Sequence, residues 1–256
     1  MVNTIEYEIG SAQSECFRFC ALVGGIDEVG RGPLAGPVVA SCVVFDCNTR
    51  INGLNDSKKL SPKKRALVLR SIIEYSRSFA TAFVSVEDID DLNIYQATRK
   101  AMYEAVQSLS LKPEFILADA MTIPGLEMPQ KAIIRGDQRE PCIMAASILA
   151  KETRDSWMAE ADELYPGYGF ARHAGYGTAQ HLQALMEKGP CPLHRRSFRP
   201  VMKSILQSPE RVEKELESKN EQEICLFYQR AMQMGFGDEE WPGLIFFRRL
   251  YGGICG

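Results

Sequence analysis

A chain of 256 residues with 45% hydrophobic and 25% charged positions has an ordinary globular composition and enough apolar material for a sizeable core. Its formal net charge of −3 excludes a generally cationic nucleic-acid binder, so a polyanion has to be held by local patches. No apolar run approaches the ~18–20 residues of a transmembrane helix. Met1-Val2-Asn3-Thr4-Ile5-Glu6 also lacks the basic start and apolar core of a secretory leader, so a cytoplasmic location away from membranes is expected. The eight cysteines are scattered without a CxxC pair, and there are only three histidines. A zinc cluster is therefore not indicated, and free thiols are expected.

Residues 1–21 carry no period or motif and read as an N-terminal arm. Residues 22–28 and 37–45 are rich in Val and Ile and read as two buried strands, antiparallel because the gap between them is short. From the end of the first strand into the gap runs Asp27-Glu28-Val29-Gly30-Arg31-Gly32-Pro33. Ionised carboxylates are not buried unpaired, and glycines remove Cβ where a backbone turns or approaches a ligand. One reading is a divalent-metal site beside a loop that touches a substrate backbone. The other is an ordinary acidic turn.

Ser61-Pro62 then starts a helix, with Ser as cap and Pro at the first position. Lys58, Lys59, Lys63, Lys64 and Arg65 gather at that start, either for phosphate binding or as a solvated surface. Ser78 to Val86 is a third strand. Asp90 or Asp91 caps a helix running to about Leu109, with Leu92, Tyr95, Met102, Ala105, Val106 and Leu109 on one face. Phe115-Ile116-Leu117-Ala118 is a fourth strand ending at Asp119, and Lys131–Arg135 is a short fifth ending at Gly136-Asp137. A small-residue helix from Ala145 to about Ala159 contains Asp155.

A Gly/Tyr-rich loop over 165–178 leads to a helix capped by Thr178, and a basic knot follows at His194-Arg195-Arg196-Ser197-Phe198-Arg199. From Ser208 one long helix runs to near Gly235. Trp241 to Arg248 is apolar enough to need a cover. The element order implies an α/β sheet of mixed direction, parallel after the helical crossover.

Asp27, Glu28, Asp119 and Asp137 all follow apolar strands, and adjacency of the first, fourth and fifth strands brings them to one edge. Such edges are where sites form in α/β sheets, and carboxylate sets suit Mg²⁺ or Mn²⁺. Strand-end carboxylates alone also permit a metal-dependent DNA nuclease or resolvase. A catalytically silent nucleic-acid-binding module would need a broken carboxylate set.

Five blocks in order resemble bacterial ribonuclease HII, from about Gly25 to Val201: Asp27 to Pro37, Leu54 to Leu60, Ala145 to Lys151, Tyr165 to Phe170, and His194 to Phe198. The resemblance implies an RNase H-like fold, a mixed five-stranded sheet flanked by helices with a C-terminal helical extension. It divides the chain into the arm at 1–21, a catalytic domain at 22–203 and the extension at 204–256. It implies endonucleolytic cleavage of the RNA strand of RNA–DNA hybrids, and cleavage at ribonucleotides embedded in duplex DNA. Two-metal-ion hydrolysis by a monomer would leave 5′-phosphate and 3′-hydroxyl ends.

The family's metal ligands map onto Asp27, Glu28, Asp119 and Asp137, with Asp155 as a further acidic residue near two Mg²⁺ or Mn²⁺ ions. Gly30-Arg31-Gly32 resembles the family's sensor of the 2′-hydroxyl, and Tyr176 the tyrosine packed beside the scissile ribonucleotide. Lys58, Lys59, Arg195 and Arg196 are the expected phosphate contacts. Ala118-Asp119-Ala120 departs from the family's Val-Asp-Gly, Arg135-Gly136-Asp137 from Lys-Gly-Asp, and Ala174 stands for a lysine. Gln222 to Phe227 is similar to a sliding-clamp-binding peptide, but a buried helix face is the preferred reading.

Overall fold

The computed structural model describes residue 16, residues 18–237 and residues 241–252; most of the arm expected over 1–21 lies outside the described residues. The chain divides into two compact units. One holds the residues as far as Arg31 and from Pro37 to Glu160, the other Gly32–Gly36 and the residues from Ala161 onward.

In the first unit five strands, Leu22–Val29 (β1), Val38–Asp46 (β2), Ser78–Val84 (β3), Phe115–Asp119 (β4) and Gln130–Ile133 (β5), pair in the order β3-β2-β1-β4-β5. β1 and β2 are antiparallel, with Asp27 opposite Ser41, and so are β2 and β3. β4 lies parallel to β1 and β5 parallel to β4, so the sheet is mixed. β1 is central, and its pleat sends Val23, Gly25 and Asp27 to one face.

That face is covered by helices Pro62–Tyr75 (α1) and Pro141–Leu164 (α4). Val23, Val43, Phe45 and Leu117 of the sheet form one core with Val68 and Ile72 of α1 and Ile143, Ala146 and Ile148 of α4. α4 approaches very closely: a Cβ built at Gly25 would lie 2.1 Å from the Cys142 carbonyl carbon. Only glycine fits there.

Between β3 and β4 the structure departs from the expected single helix. β3 ends at Val84, and Ser85 accepts the Asp88 N–H to cap a short helix, Val86–Leu92 (α2). Asn93, at φ 71°, breaks the chain and its side chain accepts the Tyr95 and Gln96 N–H groups to cap Ile94–Gln107 (α3). The cap is therefore Asn93 rather than Asp90 or Asp91, because asparagine combines a capping oxygen with tolerance of positive φ. Leu92 and Tyr95 are exposed, whereas Met102, Ala105, Val106 and Leu109 are buried as expected. β5 is also shorter than expected, since Arg135 turns into the left-handed region at φ 55°.

The second unit contains Phe170–His173 (α5), Ala179–Lys188 (α6), Arg199–Leu206 (α7), Pro209–Leu216 (α8), Glu221–Gln233 (α9) and Pro242–Tyr251 (α10). Thr178 caps α6 by accepting the His181 N–H. The long helix expected from Ser208 is two helices. Ser208 caps α8, and Asn220 with Glu223 forms a reciprocal capping box that starts α9 afresh. Met202, Leu206, Val212, Leu216, Phe227, Leu244 and Phe247 build the core of this extension. Trp241 to Arg248 finds its cover there.

Cys20, Cys42, Cys47 and Cys191 are free thiols. Cys225 on α9 is disulfide-bonded, which corrects the expectation of thiols throughout. Pairing depends on spatial Cβ geometry that scattered spacing does not reveal. Among the described residues no helix is long and apolar enough to cross a membrane.

Candidate active site

β1 carries Asp27 and Glu28 at its end, β4 ends on Asp119, and the 3₁₀ turn Gly136–Gln138 after β5 carries Asp137. The strand order therefore gathers the four carboxylates at one edge of the sheet. Asp27 is buried; its Oδ1 accepts the Glu28 N–H at 2.8 Å. Burial, then the charges of Glu28 and Asp119, push its carboxyl well above the usual range, against a hydrogen bond from Ser147. The Ser147 hydroxyl lies 3.1 Å from that of Ser57. An isolated serine within Ala145-Ala146-Ser147-Ile148 reads in sequence only as a small helix residue, so nothing there marks it as Asp27's partner.

Glu28 Oε1 accepts from Arg31 at 3.3 Å, whereas its Oε2 is buried with no hydrogen-bond partner. Burial raises the Glu28 carboxyl, Arg31 pulls it down and Asp119 pushes it back up, leaving it above its ordinary value. Asp119 accepts the Gly136 N–H at 2.7 Å. Burial raises its carboxyl too, and the Asp137 charge adds to that against the Gly136 hydrogen bond. Lys58 Nζ is 3.5 Å from Asp137. Burial pulls the Lys58 ammonium down, but Asp137, Asp27 and Asp56 more than offset this and hold it above its ordinary value.

Among the described residues no group of three or more His, Cys, Asp or Glu is arranged to hold a metal ion as it stands. The donor set itself fits a hard divalent cation. It is all carboxylate oxygen, Arg31 and Lys58 pair with only two of its four members, and it leaves Glu28 Oε2 orphaned.

Asp155 differs from these four. Both its oxygens take Lys151 Nζ at 2.7 Å, and Arg65 stands 3.8 Å away while also pairing Glu152. Its charge is matched within α1 and α4. Lys59 is exposed.

Gly30 has φ 94°, and a Cβ there would lie 2.3 Å from Arg154 Nε. The Arg154 guanidinium, fully buried, donates to the Pro37 carbonyl at 2.9 Å and so packs directly beneath the loop. In the second unit the backbone of Gly32–Gly36 is laced to two other segments. The Leu34 N–H donates to the Gly175 carbonyl and the Gly36 N–H to that of Leu193, both at 2.8 Å. Tyr176 is 43% exposed, and a Cβ at Gly32 would meet its Cε1 at 3.5 Å.

Arg195 is fully buried, and its Nε and Nη2 donate to the Gly36 carbonyl at 3.0 and 2.7 Å. That position secures the loop instead of presenting a charge to solvent. Arg196 Nη1 donates to the Cys191 and His194 carbonyls, and its Nε stands 3.3 Å from Glu215. Both arginines are thus committed to the protein's own acceptors.

A family model described as ribonuclease HII matches residues 24–201. The curated ribonuclease HII of Desulfitobacterium hafniense is 50% identical over 183 residues, covering 72% of this chain and 70% of that protein. That of Clostridioides difficile is 50% identical over 184 residues, 72% of this chain and 71% of its own. Among solved structures, the ribonuclease H2 from Pyrococcus horikoshii matches with a TM-score of 0.64 at 25% identity, over 77% of this chain and 100% of that one. The ribonuclease HII solved in a complex with PCNA from Archaeoglobus fulgidus matches with a TM-score of 0.57 at 26% identity, over 68% and 92%. The chain belongs to the ribonuclease HII family, endonucleases that cut RNA–DNA hybrids and ribonucleotide-containing duplex DNA.

Proposed function

We propose that this chain cleaves at ribonucleotides by two-metal-ion hydrolysis, with Asp27, Glu28, Asp119 and Asp137 holding Mg²⁺ or Mn²⁺, and leaves 5′-phosphate and 3′-hydroxyl ends. The observation that supports it most directly is Glu28 Oε2, a buried carboxylate oxygen without a partner, close to Asp27 and Asp119, whose carboxyls are both raised. An orphaned buried acceptor of this kind is costly unless a ligand satisfies it. When bound, the cations supply charge stabilisation to the attacking and leaving oxygens of the displacement.

The chain's own residues have separate tasks in this reading. Ser147 fixes the Asp27 carboxylate and the Gly136 N–H fixes that of Asp119, so the ligands are oriented before substrate arrives. Lys58 tempers the negative charge at Asp137 and so eases the approach of a phosphate. Gly30, Arg31 and Gly32 offer backbone groups without bulk to the minor groove, where the 2′-hydroxyl distinguishes RNA from DNA. Tyr176 packs its half-exposed ring beside the ribose. A sliding-clamp contact has to use residues other than Ile224 and Phe227, because both are buried in α9.

The test is metal-dependent cleavage of a duplex bearing one ribonucleotide, beside all-hybrid and all-deoxy duplexes. The expected result is cutting of the first two only, abolished by Asp119→Asn. Full cleavage by that variant in magnesium sinks the ligand assignment, and cutting of the all-deoxy duplex sinks the ribose requirement.

A further inference from the structure

The chain's three histidines, His173, His181 and His194, all lie in one aromatic cluster of the second unit. His181 and His194 are fully buried. The Cys191 N–H stands 3.0 Å from His194 Nδ1. His194 Nε2 stands 3.0 Å from His181 Nε2, and His181 Nδ1 2.9 Å from the Tyr176 carbonyl oxygen.

Both ends of this series have a fixed polarity. A backbone N–H only donates and a carbonyl only accepts. His194 Nδ1 is therefore the acceptor and its Nε2 carries the proton. His181 Nε2 then accepts, and its Nδ1–H donates to Tyr176. Each ring has one tautomer consistent with its neighbours, and no ring has room for a second proton, because a cationic His181 or His194 would set two N–H groups against each other.

We propose that His181 and His194 are positioning residues: a relay of two neutral imidazoles, anchored on the Cys191 N–H, that holds the Tyr176 backbone and thereby aims its ring at the ribonucleotide. This rests on the reading of Tyr176 as a substrate contact.

Three further observations support it. The His181 ring is clamped, stacked on His173 at 4.6 Å between centroids and edge-on to Phe170 at 5.5 Å. The Tyr176 N–H donates to the His173 carbonyl at 2.9 Å, so the turn is held from both sides. Burial and then the neighbouring ring push His194 down to about 3, and burial lowers His181 as well. The relay is therefore neutral across the working range.

The experiment combines a mutant cycle with spectroscopy on the full chain. On the single-ribonucleotide duplex, His194→Leu should lower kcat/KM about five- to tenfold, the net worth of one hydrogen bond. In a Tyr176→Ala background it should cause no further loss. His194→Gln, whose amide can still donate to His181, should recover most of the activity.

Equal losses in both backgrounds would mean a purely structural role and overturn the proposal. So would full activity of His194→Leu where Tyr176→Ala is impaired. If Tyr176→Ala itself cleaves like the parent, the substrate-contact reading falls, and the relay's role with it.

Nitrogen-15 NMR of the parent guards against a variant that fails to fold. At pH 7 His181 should be the neutral Nδ1–H form and His194 the neutral Nε2–H form. Any other pair of tautomers, or a charged ring, overturns the relay.

Discussion

Asp119 accepts the Gly136 N–H at 2.7 Å, so the carboxylate that ends β4 is tied to the turn that carries Asp137. The two metal-ligand candidates after β4 and β5 are thereby set by one backbone hydrogen bond. Asp119→Asn keeps an oxygen for Gly136 and removes one repelling charge. Cleavage should fall by about a thousandfold, the upper end of what losing one group that stabilises the transition state costs, with melting temperature of the metal-free protein unchanged or raised.

Removal of divalent ions gives a second check on the same set. Adding Mg²⁺ or Mn²⁺ to chelator-treated protein should raise its melting temperature, by about 2.7 kcal/mol of stability at a hundredfold excess over Kd. The shift should be lost in Asp27→Asn. It should persist in Asp155→Asn, because Asp155 is already matched by Lys151 and Arg65. Calorimetry with and without the ion decides this.

Gly30 and Gly32 should respond differently to alanine. At Gly30, φ 94° and a contact of 2.3 Å with Arg154 combine strain with a clash, so Gly30→Ala should cost about 2–4 kcal/mol in urea unfolding. At Gly32 the new methyl meets Tyr176 at an ordinary 3.5 Å. Gly32→Ala should stay folded within about 0.5 kcal/mol of the parent while cutting the single-ribonucleotide duplex less well.

Stability should fall with acid through the two buried histidines. Their folded values are lowered, to about 3 for His194, below an unfolded value of about 6.5. Between these limits the unfolded chain binds more protons, so stability rises with pH and is fully present above about 6.5. The raised carboxyls of Asp27, Glu28 and Asp119 tilt stability the other way over this range, so the histidine contribution is read by difference: from pH 4 to pH 7 the melting temperature of the parent should gain on that of His194→Gln.

Ala120 sits at φ 53°, a backbone conformation that favours glycine. An alanine in the left-handed region is strained by about 1–2 kcal/mol, against about 0.5–1 kcal/mol of unfolded-state entropy gained by glycine. Ala120→Gly should therefore stabilise slightly, by about 0.5–1 kcal/mol. A shift of the urea midpoint at constant slope would report it.

What could be read from sequence followed the range of the forces involved. Asp27, Glu28 and Asp119 stood out because charges abut apolar strands, and local alternation placed those strands. The break between α2 and α3 was not legible, because Ser85, Asp90, Asp91 and Asn93 are all good caps and only the backbone at Asn93 chooses among them. Arg195 looked like a phosphate contact within a basic run. Its real partner is the Gly36 carbonyl, 159 residues away in the chain, and no local pattern encodes that. Asp155 was ambiguous for the same reason, since Arg65 reaches it from a different helix.

The closeness of α4 to Gly25 bears on how this site tolerates change. Two residues before Asp27, the strand rests on the Cys142 backbone at a separation that no side chain can share. Backbone cannot retreat as a rotamer can, so the position has no adaptive neighbour. A library at residue 25 should return glycine alone among active clones. Attempts to retune the centre would have to work through Ser147 or Gly136, whose side chain and amide reach the carboxylates without bearing the weight of the sheet.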